Sequence, residues 1–226
     1  MKKAVITFSI IALIAGTAMQ AQSQYTDTRG NMQARSQDDD TRGKMSFGVR
    51  AGLNISNVWD ANGEDFVADP KTGYVGGLFL SVPLGRVVGF QPELLYSQKG
   101  LKGAGTILGT PYSFTKTTSF IDVPLQLMVK PTSFLTFVAG PQFSFLIKEK
   151  NVYTFGANAV EQEEEFATDN IRKNILGFGV GFDFTITRFL LSGRLGWDLQ
   201  DNHGDGTSST PRYKNQWAQV TFGFKL

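Results

Sequence analysis

One stretch of the chain gathers an imidazole, carboxylates and hydroxyls: Asp201-Asn202-His203-Gly204-Asp205-Gly206, followed by Ser208 and Ser209. Acyl-transfer chemistry needs a nucleophile within hydrogen-bond reach of the base, and a carboxylate that orients the base. The residue types are present, but they crowd a glycine-rich loop tip that no strand fixes. His203 therefore reads as a solvated loop residue. It is the only His in the chain, and there is no Cys. A thiol nucleophile, a Cys-based zinc site, a disulfide framework and any multi-His metal site are thereby excluded. The oxygen ligands between Asp201 and Asp205 suit Ca²⁺ in kind, but the twelve-residue loop with its closing Glu is missing. Glu161-Gln162-Glu163-Glu164-Glu165 is a denser acidic run and reads as a solvated face. Bridging by divalent cations from this run to anionic lipopolysaccharide is the alternative. Gly177-Phe178-Gly179-Val180-Gly181 lacks the G-x-G-x-x-G spacing and a following helix, and Gly103-Ala104-Gly105-Thr106 lacks the Lys-Ser/Thr of a phosphate loop. No residue is assigned as catalytic, cofactor-binding or metal-binding, and the expectation is a non-enzymatic protein without a cofactor.

A second set is scattered in sequence but shares one property. Arg50, Gln91, Glu93, Gln126, Asp183 and Arg194 all fall on the polar side of stretches whose hydropathy alternates with period two. Eight such stretches follow residue 46. Phe47, Val49, Ala51, Leu53 and Ile55 oppose Gly48, Arg50 and Asn54 in the first. The second covers 72–82, with Tyr74, Leu78, Leu80 and Val82 on its apolar face. The third covers 87–97, with Phe90, Leu94 and Tyr96 against Gln91, Glu93 and Ser97. The fourth, 117–130, sets Ile121 to Val129 against Asp122 and Gln126; the fifth, 134–147, sets Phe137 and Phe143 against Gln142 and Ser144. In the sixth, 174–186, Phe178, Phe182 and Phe184 oppose Gly177, Gly179, Gly181 and Asp183. The seventh, 189–199, has Leu191, Leu195 and Trp197 against Ser192 and Arg194, and the eighth, 216–226, has Val220, Phe222, Phe224 and Leu226 against Gln219 and Thr221.

Eight strands of about ten residues predict a small antiparallel up-and-down transmembrane β-barrel. Strands in lipid must close on themselves, because every backbone N–H and C=O needs a partner there. The links agree: 83–86, 131–133 and 187–188 are tight, whereas 56–71, 98–116, 148–173 and 200–215 are long and polar. Short periplasmic turns and long outer loops give this rhythm. A soluble sandwich or lipocalin-like barrel also alternates, but its solvated face would carry more Lys and Glu than the Gly, Ser, Thr and Gln found here. On the barrel reading the six polar residues face a lumen that eight strands leave just wide enough for side chains to fill. Unpaired charges there are costly, so Glu93 is expected to pair with Arg50 or Arg194. The expected role is a structural plug, and a gated proton or ion path is the alternative. Gly177, Gly179 and Gly181 share one strand face and make room in the lumen beside bulkier residues such as Arg194.

Tyr74, Tyr96 and Trp197 fall at the loop ends of their strands, and Phe47, Phe90, Phe184 and Phe224 toward the turn ends, as in two interfacial aromatic girdles. Val220, Phe222, Phe224 and Leu226 form the carboxy-terminal strand signal that barrel insertion machinery reads. Met1-Lys2-Lys3 followed by the uncharged run Ala4 to Ala18 predicts a secretory signal peptide over 1–21, cleaved after Ala18 or Ala21. The run is shorter than the ~20 residues of a spanning helix. Residues 22–45 are polar, repeat Asp27-Thr28-Arg29-Gly30 as Asp40-Thr41-Arg42-Gly43, and read as a disordered periplasmic linker before a barrel over 46–226. The chain counts 22 basic and 20 acidic residues; without Lys2 and Lys3 the balance is even, and no nucleic-acid partner is expected.

Three strings resemble a known family. Phe90-Gln91-Pro92-Glu93-Leu94-Leu95-Tyr96-Ser97-Gln98-Lys99-Gly100 resembles the third-strand motif of the outer-membrane β-barrel proteins named porin-family or PorT-like. Ile121-Asp122-Val123-Pro124-Leu125-Gln126-Leu127 is similar to the family's fourth strand, and Ala139-Gly140-Pro141-Gln142-Phe143-Ser144 to its fifth; Gly48 to Asn54 also fits. Leu226 departs from the usual terminal Phe. The resemblance implies an outer-membrane barrel of a Gram-negative bacterium surrounded by lipid and lipopolysaccharide. It also implies contact with secretion-system or envelope proteins, since some relatives assist protein secretion. A narrow porin and a lipid A-modifying enzyme are the remaining alternatives.

Overall fold

The computed structural model describes residues 43–59, 69–107, 110–155, 158–165, 174–201 and 214–226. The strands are β1 (Ser46–Trp59), β2 (Asp69–Pro83), β3 (Val88–Ile107), β4 (Thr110–Val129), β5 (Leu135–Phe155), β6 (Asn158–Glu165), β7 (Asn174–Ile186), β8 (Phe189–Asp198) and β9 (Lys214–Lys225). All pairings are antiparallel. β1 pairs with β2 and β9, and the ring closes through β3, β4, β5, β7 and β8, giving a closed eight-stranded barrel. Pairing of β1 with β9 runs from Gly48↔Lys225 to Trp59↔Lys214, and the Leu226 amide donates to the Phe47 carbonyl at 2.9 Å. The last strand signal thus lies on the closing seam, with Phe222 71% and Leu226 69% exposed.

The burial pattern is inverted relative to a water-soluble domain. Among the described residues, the buried set is mainly polar, including Arg50, Glu93, Lys99, Asp183 and Arg194, while Leu53, Leu94, Leu127, Phe137 and Phe222 stand exposed. Burying charge inside and presenting leucine and phenylalanine outside is favourable only where the outside is hydrocarbon. Apolar side chains also enter the lumen: Phe79, Met128, Val138 and Leu190 toward the turn end, and Leu101, Phe120, Ile175 and Trp217 toward the loop end.

The short turns fall where the sequence places them. Leu84 donates its amide to Val88 at 3.0 Å, Thr132 Oγ1 caps the Leu135 amide at 3.1 Å, and Thr187 adopts φ 56° in the two-residue turn to β8. The long links need correction. The segments 98–116 and 148–173, expected as loops, contain strand. β3 and β4 stay paired to Ile107↔Thr110, and β5 continues to Phe155, where it pairs with β4 on one side and β6 on the other. The wall therefore extends beyond the apolar belt as a four-stranded sheet from β3 to β6. Outside lipid both faces can be polar, so the hydropathy alternation fades while the hydrogen-bond ladder goes on. Glu161 to Glu165 belong to β6, in register with Val152 to Lys148 of β5. The expected signal peptide, nearly all of the expected linker and His203 lie outside the described residues.

Candidate functional site

Four strands send the charged residues of the predicted set into one cluster. Arg50 of β1 lies 3.2 Å from Glu93 of β3 and 3.7 Å from Asp183 of β7. Arg194 of β8 lies 2.6 Å from Asp183 and 3.6 Å from Glu93. Each carboxylate touches both guanidiniums, so the either-or pairing expected for Glu93 is a four-membered network of two cations and two anions. Gln91 ties the anions together, its Nε2 donating to Glu93 Oε1 at 2.9 Å and to Asp183 Oδ2 at 3.1 Å. Arg194 Nη1 donates to the Phe182 carbonyl at 2.7 Å, and the Arg50 guanidinium stacks 4.7 Å from the Phe79 ring centre. The side chains of all four charged residues are at most 5% exposed. Because β1, β3, β7 and β8 contribute from different parts of the wall, the network lies across the bore rather than along one side.

Glycine is required at Gly181 to admit Arg194. A Cβ there would sit 2.5 Å from Arg194 Cδ and 2.2 Å from the Gly193 carbonyl oxygen. Gln126 is buried in the same lumen but stands apart from the network. It lines a water-sized gap with Glu93, Gln142, Arg194 and Gln219, and its Oε1 has no hydrogen-bond partner.

A second cluster lies toward the loop end. Lys99 Nζ is 3.4 Å from Asp122 and 3.2 Å from Ser144 Oγ, to which it donates, and it sits 3.9 Å from a Trp217 ring centre and 4.9 Å from that of Phe120. Ser97 donates to Asp122, and Asn215 donates to Asp198. Lys99 lies outside the expected lumen set, because the sequence reads as a loop from residue 98. Its parity with Gln91, Glu93 and Ser97 is the signal that could have found it. Gly100 beside it has φ 154°, and Ser56 Oγ reaches across to donate to the Gly100 carbonyl at 3.0 Å. Nearer the rim, Lys116 pairs with Glu149 at 2.8 Å.

On the outer surface, Tyr74 is 69% exposed and Phe47, Tyr96 and Phe184 face outward, with Trp197, Phe90 and Phe224 partly exposed. Tyr96 falls mid-strand, because β3 continues beyond it. Phe134–Phe184 and Phe189–Phe224 meet edge-to-face at 5.4 Å at the turn end. Among the described residues, no group of three or more His, Asp or Glu is placed to hold a metal ion.

Fold and lumen together define a transmembrane β-barrel with buried ion pairs in its lumen. The family profile for the outer membrane protein beta-barrel domain matches residues 20–204, and the chain belongs to that family. Among solved structures, Ail, the attachment invasion locus protein of Yersinia pestis, in complex with the heparin analogue sucrose octasulfate, is 9% identical with a TM-score of 0.43, over 80% of this chain and 99% of that one. Neisserial surface protein A is 12% identical with a TM-score of 0.44, over 80% and 97%. CarO of Acinetobacter baumannii is 13% identical with a TM-score of 0.42, over 79% and 97%. No curated protein matches the chain by sequence.

Proposed function

We propose that this outer-membrane barrel is a non-enzymatic envelope protein whose lumen is a structural plug and whose outer sheet and loops bind partners. The observation that carries the reading is the Arg50–Glu93–Asp183–Arg194 network, buried and spread over four strands across the bore. A path for ions would need those side chains parted, and an eight-stranded barrel has little room for that. The extended β3–β6 sheet supplies a surface beyond the apolar belt for partner binding. On this reading residues 1–21 are a cleaved signal, 22–45 a periplasmic linker and 46–226 the barrel, set among lipid and lipopolysaccharide in a Gram-negative outer membrane. The PorT-like motifs favour a second reading, assistance to protein secretion. Purified protein in planar bilayers tests the plug, which forbids a stable conductance. Mild crosslinking in cells followed by pull-down separates the two partner readings: recovery of periplasmic or membrane components of a secretion apparatus supports the second, and their absence beside surface partners supports the first.

A further inference from the structure

Three prolines interrupt the barrel wall on neighbouring rungs of three successive seams. Pro92, Pro124 and Pro141 lie inside β3, β4 and β5, where a proline removes a ladder donor and is rarely tolerated. The registers show where each bond is lost. Pairing of β2 with β3 runs from Phe79↔Glu93 to Val82↔Phe90, passing over Leu80 and Pro92. Pairing of β3 with β4 passes from Pro92↔Leu125 to Leu95↔Asp122, over Glu93 and Pro124. Pairing of β4 with β5 passes from Pro124↔Gln142 to Leu127↔Ala139, over Leu125 and Pro141. Each proline therefore withholds a donor from the strand before it, at three successive seams. Leu80, Pro92, Leu125 and Pro141 form a single row on the lipid face. In hydrocarbon such losses are expensive, since no water replaces the missing donor.

An independent feature lies behind this row. The water-sized lumen gap is lined by Pro124, Gln126 and Gln142 on the weakened strands, and by Glu93, Arg194 and Gln219 opposite or beside them. Gln126 and Arg194 both line the gap, and Gln126 Oε1 and Arg194 Nε are buried without a hydrogen-bond partner. Buried polar atoms of this kind call for a guest that is itself polar.

The geometry points to a lateral portal: the wall opens along the Pro92–Leu125–Pro141 row, and the gap behind it takes the polar head of a small amphiphile arriving from the bilayer. A single hydroxyl, which donates and accepts from one water-sized group, matches the gap and its polar lining. The apolar part stays on the lipid face among Leu80, Leu94 and Leu125. The portal rests on the barrel reading but not on the plug: the ion network blocks axial passage, whereas the portal communicates sideways with lipid.

The chain has no Cys, so single thiols report access cleanly. Gln142→Cys on the portal side and Ser192→Cys on β8 away from it are placed separately in the full barrel in phosphatidylcholine vesicles. Each is challenged with a lipid-partitioning alkyl maleimide and with a charged, membrane-impermeant maleimide. The portal predicts that Gln142→Cys reacts with the alkyl reagent faster than with the charged one, and that Ser192→Cys, buried in the lumen, resists both. Replacing Pro92 or Pro141 by Val restores one rung and slows the alkyl reaction about fivefold per rung. The Gln142→Cys and Ser192→Cys comparison needs no proline change and decides the matter if the proline variants fail to fold. Equal labelling of the two thiols by the alkyl reagent, or equal labelling of Gln142→Cys by both reagents, overturns the portal. So does a Val variant that folds and labels at the original rate. A closed axial path in the bilayer recording leaves this test independent of the plug.

Discussion

Asp183→Ala is the sharpest perturbation of the lumen network. Asp183 sits 2.6 Å from Arg194 and 3.7 Å from Arg50, and accepts from Gln91 at 3.1 Å. At an effective dielectric near 20, unit charges at those two ion-pair distances attract by about 6 and 4 kcal/mol respectively. Desolvation of the carboxylate offsets several kcal/mol of that sum. Removing the carboxylate, however, does not return the arginines to water. They remain buried with Glu93 as their sole anion, at 3.2 and 3.6 Å. Breaking a buried pair on one side costs about 3 to 5 kcal/mol, and that is the expected loss. Reversible urea unfolding in lipid vesicles, followed by tryptophan fluorescence and by the heat-dependent gel shift of folded barrels, measures it. Arg194→Ala alone should cost a similar amount. The double variant should cost less than the sum of the two by about 1 to 3 kcal/mol, since the second change removes a charge already left without its partner. A loss below about 1 kcal/mol for Asp183→Ala, with strict additivity in the double variant, would refute the claim that these charges hold one another in a dry lumen.

Gly181→Val should destabilise the barrel by about 1 to 3 kcal/mol by the same unfolding assay, because the new side chain meets Arg194 Cδ and the Gly193 carbonyl. Lys99→Met removes the cation shared by Asp122, Trp217 and Phe120 and is expected to cost about 3 to 5 kcal/mol, partly recovered when Asp122→Asn is added. Lys130, in the turn after β4, donates to Ser81 at 3.1 Å, and burial followed by Lys225 holds its amine below the usual lysine range, against the opposing pull of Asp183. A lysine with a lowered folded value destabilises while charged in both states and is relieved as pH rises through that value. Stability should therefore climb on the alkaline side, and the climb should shrink in Lys130→Met.

Much of the architecture was legible because a barrel in lipid leaves strict marks: period two in residues such as Phe178 to Asp183, and tight links such as Thr187-Arg188. Parity also brought Arg50, Glu93, Asp183 and Arg194 to one side of the wall. What parity cannot supply is height across a tilted barrel, so the exchange of partners among all four charges needed the structure. Gln126 shares their face and their depth class, yet falls beside the gap rather than in the network. Lys99 and the strands beyond it were hidden for a different reason. Past the hydrocarbon both faces of the wall are polar, so residues 98–107 and 148–155 lose their alternation while keeping their ladder partners. The three strand prolines were visible as letters, but their place on neighbouring rungs of successive seams appears only with the registers of β2 to β5 in hand.

Planar-bilayer recording of the purified, folded barrel tests the central claim most directly. With the Arg50–Glu93–Asp183–Arg194 network intact, membranes containing the protein should show no stable conductance above that of bare lipid. A large, steady conductance that scales with the number of inserted barrels would contradict the closed lumen.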